Sequence, residues 1–437
     1  MTVNFPVLFP TTPFQATFPT TPFGIIFPTV DFFTDFIGVA ATPTVVIDDV
    51  TGEIVVDDST GATVIDDTGH GVSFLSPSAS RVDVLATIAL TSPGDTVIVP
   101  AGVESWAGGI TISGITLQGP GRNAASPVNI SAGLVTLTKH ATHNTKFAGF
   151  RFTGTDMHLV VDGDSADKPF IVDDCYLFNN GSAMVLITVN GGLVSRINFE
   201  AIPAHGADTI RLVLNSANGL LSWGNPTTMG VEDASGVANT YFEDCTWDGF
   251  LEISMDVDDG ARVVVRNCVF TDSSITVHGG GSGTSGNDSS IVGGRHLEIY
   301  DCSFVRVSNL LPINKWVWWR GSSGVFANNV LAKADSPDGF SFPNKTELRL
   351  SVGCPGPYPL TFQVGQSAAI ADATPDRPLL IFGNTGAGAV DTNFIGITEN
   401  PLSACGNPED FIQLGRDYQL SNTWGWVAYP YPHPLRG

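Results

Sequence analysis

The sequence predicts an all-β chain whose body, residues 78–382, is a right-handed parallel β-helix, a solenoid carrying an N-terminal extended anchor and a short capping helix. Three observations predict it. The chain has 437 residues with 48 Gly and a charged fraction of only 14%, a composition that suits many short strands with tight turns. Alternating runs of four to six residues are broken by Gly and Pro, so the apolar period is that of a strand. A short unit also recurs every 20–35 residues or so, as a stack of similar coils requires.

The first element, residues 1–44, carries a nine-residue Phe-Pro repeat: Phe9 and Pro10, Phe18 and Pro19, Phe27 and Pro28, with Phe14 and Phe23 in matching places. Pro fixes φ and pushes the residue before it to extended geometry, so these pieces run as strand or polyproline segments. They have no partner strands of their own and expose many rings, which fits an anchor buried by other chains better than a free linker.

Residues 45–77 repeat again at nine residues, with acidic pairs beginning at Asp48, Asp57 and Asp66 and turns at Gly52, Gly61 and Gly69. This reads as a stalk of short strands. Carboxylates at this period could hold calcium at Asp48, Asp57 and Asp66 as nonapeptide β-rolls do, but the paired Gly of that motif is missing, and solvated turn carboxylates are the plainer reading.

The body opens with Ser80, whose hydroxyl is placed to cap a helix, with Asp83 three residues on and Val84, Leu85 and Ile88 at helical spacing. A short amphipathic helix here covers the first rung. Then come Thr96-Val97-Ile98-Val99-Pro100-Ala101-Gly102 and Ile115-Thr116-Leu117-Gln118-Gly119. A capping helix, a strand ending in Val-Pro-Ala-Gly and a strand ending in Leu-Gln-Gly resemble the entry to the pectate-lyase-like family of right-handed β-helices. The resemblance implies the fold along the chain to about Phe382. That family's calcium-binding Asp cluster and Arg base have no match here, so no catalytic residue is carried over.

Later rungs share one unit: apolar, polar, Asp or Asn, Cys, polar, aromatic. It occurs around Cys175, Cys245, Cys268 and Cys302, and once more without Cys at Val325-Phe326-Ala327-Asn328-Asn329-Val330. Stacking puts equivalent positions above one another, so the four thiols form an internal ladder that packs as small hydrophobes. No Cys-x-x-Cys or similar zinc spacing occurs, and no metal is expected there. Whether Cys354 and Cys405 meet is open. Residues 383–437 end in Trp424, Trp426, Tyr429, Tyr431 and His433 among prolines, a tail suited to lying back along a surface or closing the end of the stack.

Composition also excludes partners. Lys and Arg number 20 against 43 Asp and Glu, a formal charge of -23, and no basic stretch exists to follow a phosphate backbone. Residues 1–40 lack the charged start of a signal peptide and are broken by Pro, so neither export by that route nor membrane insertion is expected.

A polysaccharide-cleaving β-helix needs carboxylates or a base on one lateral face. Glu252, Asp256, Asp258 and His278 form the candidate catalytic group, with Asp259 beside them and Arg295 and His296 a rung later. Trp247, Trp316, Trp318, Trp319 and Arg320 are the candidate glycan contacts. The opposing reading makes Asp256, Asp258, Asp259 and Gly260 a turn and the Trp residues packing between rungs. A β-helix behind an anchor without a signal peptide resembles the organisation of bacteriophage tailspikes and head or tail fibres. The expectation is therefore a virion appendage, a homotrimer docked on capsid or tail protein through residues 1–40 and displayed on the virion surface for adsorption to host polysaccharide. The alternative is a polysaccharide depolymerase, a lyase or glycoside hydrolase working on the lateral face, with a bacterial adhesin third.

Overall fold

The computed structural model describes Val46–Ile47, Ile54–Val55 and residues 71–436, apart from segments 155–156, 180–183, 202–209, 215–232, 250–252, 279–292, 308–314, 334–344, 351–363, 366–377, 387–394, 400–406 and 411. The Phe-Pro anchor residues, Asp48, Asp57, Asp66, Glu252, Cys354 and Cys405 lie outside the described residues.

The chain is a right-handed parallel β-helix. Sheet A has 14 strands; from Ser73–Leu75 through Thr96–Ile98, Phe170–Asp173 and Arg262–Arg266 to Leu379–Phe382 and Tyr418–Gln419, its neighbours pair in parallel. At its start Val46–Ile47 pairs antiparallel with both Ile54–Val55 and Ser73–Leu75. Among the described residues, a second sheet of 17 strands covers the other two sides of the stack. Side B runs from Phe150–Phe152 through Tyr176–Asn179 and Thr246–Asp248 to Val330–Lys333, and side C from Leu159–Asp162 through Met255–Asp258 and Lys315–Trp319 to Ile395–Glu399. The parallel ladder thus runs past Phe382 on both sheet A and side C.

Two long strands, Gly102–Ser113 and Val128–Thr138, join sides B and C at the N-terminal end. Gly133 permits the bend. Its φ is 131°, and a β-carbon there would sit 2.5 Å from the Trp106 carbonyl oxygen, so only Gly fits. The capping helix Arg81–Ile88 starts as its sequence foretells: the Ser80 hydroxyl accepts the Asp83 N–H at 3.2 Å. Val84 is buried, and Arg81 donates to the carbonyls of Gly108 and Gly109, tying the helix to the long strand.

The repeated unit forms the corner between sheet A and side B. Asp174, Asp244, Asn267, Asp301 and Asn328 adopt left-handed backbone, with φ between 50° and 57°, a conformation that Asp and Asn tolerate best among residues with side chains. The chain then turns inward at Cys175, Cys245, Cys268 and Cys302, all free and buried. Burial pushes the Cys175 thiol up to about 12, so these are packing groups. In the copy without Cys, Asn329 fills the place: its Oδ1 accepts the Cys302 N–H at 3.0 Å and its Nδ2 donates to the Ile299 carbonyl at 3.1 Å. Inside side B, Phe199, Trp247, Phe270 and Phe304 stack face to face at 4.9, 4.5 and 4.7 Å.

From Phe170–Asp173 to Ser323–Ala327 sheet A buries both faces. Phe170, Val172, Val265 and Ile299 point into the main core, while Leu193, Tyr241, Val264, Tyr300 and Val325 form an outer cluster with Trp426 and Tyr429 from the C-terminal tail. The tail therefore adds Tyr418–Gln419 to the end of sheet A and lies back along the outside.

Candidate active site

Side C carries the candidate group, and strand alternation explains why. In Met255-Asp256-Val257-Asp258 the apolar side chains enter the core and the carboxylates point out. The next rung repeats this in Ile275-Thr276-Val277-His278; the His278 N–H donates to the Val257 carbonyl at 2.9 Å and fixes the register. The imidazole therefore lies beside both carboxylates. Its Nε2 is 3.1 Å from Asp256 Oδ1 and its Nδ1 is 3.1 Å from Asp258 Oδ2. The first approach is at ion-pair distance without hydrogen-bond alignment.

After Asp258 the chain makes a tight turn toward sheet A: the Ala261 N–H donates to the Asp258 carbonyl at 2.9 Å, with φ of 45° at Asp259 and 81° at Gly260. Positive φ at both central residues is the type I′ pattern. Asp258 serves the turn with its backbone and the His278 contact with its carboxylate.

Burial dominates the electrostatics. Asp256 is 2% exposed, which raises its carboxyl above the usual range; the Asp258 charge adds to the rise while His278, Arg320 and Arg211 oppose it. Asp259 is pushed up to about 6 by burial first and by Asp258 second. His278, at 19% side-chain exposure, is the most accessible of the three linked groups. Each ring nitrogen of the imidazole thus faces one carboxylate, Nε2 toward Asp256 and Nδ1 toward Asp258. That arrangement can give or take a proton at its exposed edge.

Arg211 was not singled out from sequence. It stands directly beside Asp256 in register, one rung before it, and is exposed. Its signal was available: Ile210-Arg211-Leu212 alternates like Met255-Asp256-Val257. Trp318 continues the same outward column after Thr276, and Glu347 follows it. Lys315 Nζ lies 3.8 Å and Arg320 4.4 Å from the Trp318 ring centre, and Lys315 also pairs with Glu347 at 3.1 Å.

The other candidate residues are placed elsewhere. Trp247, Trp316 and Trp319 are each 0% exposed in the main core, so the expectation that they contact glycan is corrected: strand alternation sends Trp247 and Trp319 inward, the register shift between Lys315 and Val317 accompanies the burial of Trp316, and no sugar reaches them. His296 opens a sheet A strand, pairing with Arg262 and Ser323, and Arg295 immediately precedes it. The His296 ring faces Ser323 and Glu298 on sheet A, across the Asp258–Ala261 turn from the side C group.

Among known structures, the chain is similar to an alginate lyase from Paenibacillus sp. str. FPU-7, with 12% identity, 75% of this chain and 98% of that one covered, and a TM-score of 0.43. It is also similar to the catalytic domain of a GH87 α-1,3-glucanase in complex with nigerose, with 11% identity, 83% and 70% coverage, and a TM-score of 0.35. No protein-family model matches the sequence, and no curated protein does.

Proposed function

We propose that this protein cleaves polysaccharide on side C, with Asp256, Asp258 and His278 as the proton-transfer group and Trp318 and Arg320 as glycan contacts. The observation that carries this reading is His278 set between two carboxylates, one of them nearly buried, on outward positions of adjacent rungs. Glycosidic cleavage by either hydrolysis or elimination needs a group that removes one proton and another that delivers one, and this cluster sets an imidazole within 3.1 Å of each of two carboxylates. A linear glycan lying along the rungs passes Arg211, Asp256, Thr276 and Trp318 in succession.

The test is incubation of the full chain with a panel of neutral and acidic polysaccharides, following new reducing ends and the ultraviolet absorbance of unsaturated ends, which separates hydrolysis from elimination. His278→Ala and Asp256→Asn are expected to lower the rate at least a hundredfold, the usual scale of a general acid or base, while melting within a few degrees of the parent. Activity that survives both substitutions refutes the assignment.

The body also fits a bacteriophage virion appendage, a homotrimer on the virion surface that holds host polysaccharide and is anchored to capsid or tail protein by residues 1–40. The Phe-Pro repeat favours it, since such a segment needs partner chains to bury its rings. Cryo-electron microscopy of the particle would place the segment against capsid or tail protein; a free monomer in light scattering would remove the trimer.

A further inference from the structure

A second set of titratable side chains lies on the outer face of sheet A, across the Asp258–Ala261 turn from the side C group and beneath the C-terminal tail. The tail docks through a network, not through apolar contact alone. Arg266, fully buried, donates to Glu243, to the Tyr300 hydroxyl at 3.1 Å and to the Tyr429 carbonyl at 2.9 Å. Glu298 accepts the Trp426 indole N–H at 2.8 Å and contacts His296 Nε2 at 2.8 Å. Tyr431 and Arg436 both reach Asp244.

His433 holds the end of this strap. Its backbone N–H donates to Glu243 at 3.0 Å, its Nε2 lies 3.1 Å from the Asp233 carbonyl, and its Nδ1 accepts the Leu435 N–H at 3.1 Å. These bonds require the neutral imidazole with the proton on Nε2. A proton added at Nδ1 removes the acceptor that Leu435 uses.

We propose that residues 424–436 form an acid-released strap on the outer face of sheet A, with His433 as the trigger and His296 as a second proton acceptor beneath it. Release uncovers a groove lined by Tyr241, Glu243, Arg266, Glu298 and Tyr300, while the rungs below stay folded.

The charges around the trigger set the sign. Facing His433 are Glu243 and Arg266 from sheet A, Asp233 from the preceding turn, the Tyr241 ring at 4.4 Å, and Arg436 from the strap itself. Facing His296 are Glu298 and Ser323, with Arg262 and Arg295 opposing a further positive charge. In both, burial is the leading influence and favours the neutral ring. A released strap therefore binds protons more readily than a docked one, so docking is complete above the ordinary histidine range of about 6.5 and weakens as pH falls below it. Each unit of difference in proton affinity between the two states, for each ring, gives about a tenfold change in the docking equilibrium.

The experiment is hydrogen exchange of the full chain between neutral and mildly acidic pH, read by mass spectrometry on peptides from the strap and from the rungs, with intrinsic exchange divided out. Strap amides are expected to lose protection at least tenfold below pH 6 or so, with strands such as Tyr241–Glu243 still protected at their backbone. His433→Asn keeps an acceptor for Leu435 and cannot be protonated, and it is expected to flatten that pH response. In the wild-type protein the His433 ring resonance should titrate at the same midpoint as strap release, a comparison that holds whether or not the variant docks. Strap protection unchanged across the range, or a ring midpoint a full unit away from release, overturns the proposal.

Discussion

Replacing Trp247 tests whether the aromatic column is core or binding surface. The indole is 0% exposed and stacked between Phe199 at 4.9 Å and Phe270 at 4.5 Å, with interplanar angles of 14° and 6°. Trp247→Ala removes the transfer energy of the ring and leaves a cavity that strands tied above and below cannot close, a loss of about 3–5 kcal/mol. Two aromatic pairs vanish with it, each worth about 0.5–1.5 kcal/mol beyond area, part of which the first figure already contains. Trp247→Phe keeps a ring in the column and is expected to cost about 1–2 kcal/mol. Urea unfolding followed by circular dichroism reads both, and a cycle with Phe270→Ala should give a coupling of about 1 kcal/mol. If Trp247→Ala stayed within about 0.5 kcal/mol of the parent, the range of surface substitutions, while polysaccharide binding fell, the interior assignment would be refuted.

Three further outcomes are expected. Asp259 holds a proton up to about pH 6 in the folded chain but only to about 4 when unfolded, so its contribution to stability declines as pH rises from about 4 to 6; Asp259→Asn, which keeps the left-handed backbone, should be more stable at neutral pH by a few tenths to about 1 kcal/mol after solvent screening, measured by thermal melts at pH 7 and pH 4. Asn329→Ala should cost about 2 kcal/mol or more in urea unfolding, because the Cys302 N–H, the Ile299 carbonyl and Asn384 all lose a buried partner. Trp318→Ala should raise the KM for polysaccharide several-fold with a small stability change, whereas Trp316→Ala, in the core, should act through stability by about 3 kcal/mol or more.

The sequence by itself determined the solenoid and its corners. Repeating Asp or Asn before Cys marks turn positions, and the structure gives Asp174, Asp244, Asn267, Asp301 and Asn328 a left-handed backbone there, which Arg196 adopts at its own corner without the motif. Period-two alternation likewise separates outward Asp256 and Asp258 from inward Val257. The same alternation, applied to Lys315-Trp316-Val317-Trp318-Trp319, does not settle which indoles are buried, because the register shifts between Lys315 and Val317 and places Trp316, Val317 and Trp319 all inside. Pairing across rungs was also illegible. Asp256 meets His278 because Ile275–Val277 lies next to Met255–Asp258, and Arg266 meets Tyr429 across 163 residues; local pattern specifies which way a side chain points, but stacking order and the return path of the tail decide what it touches.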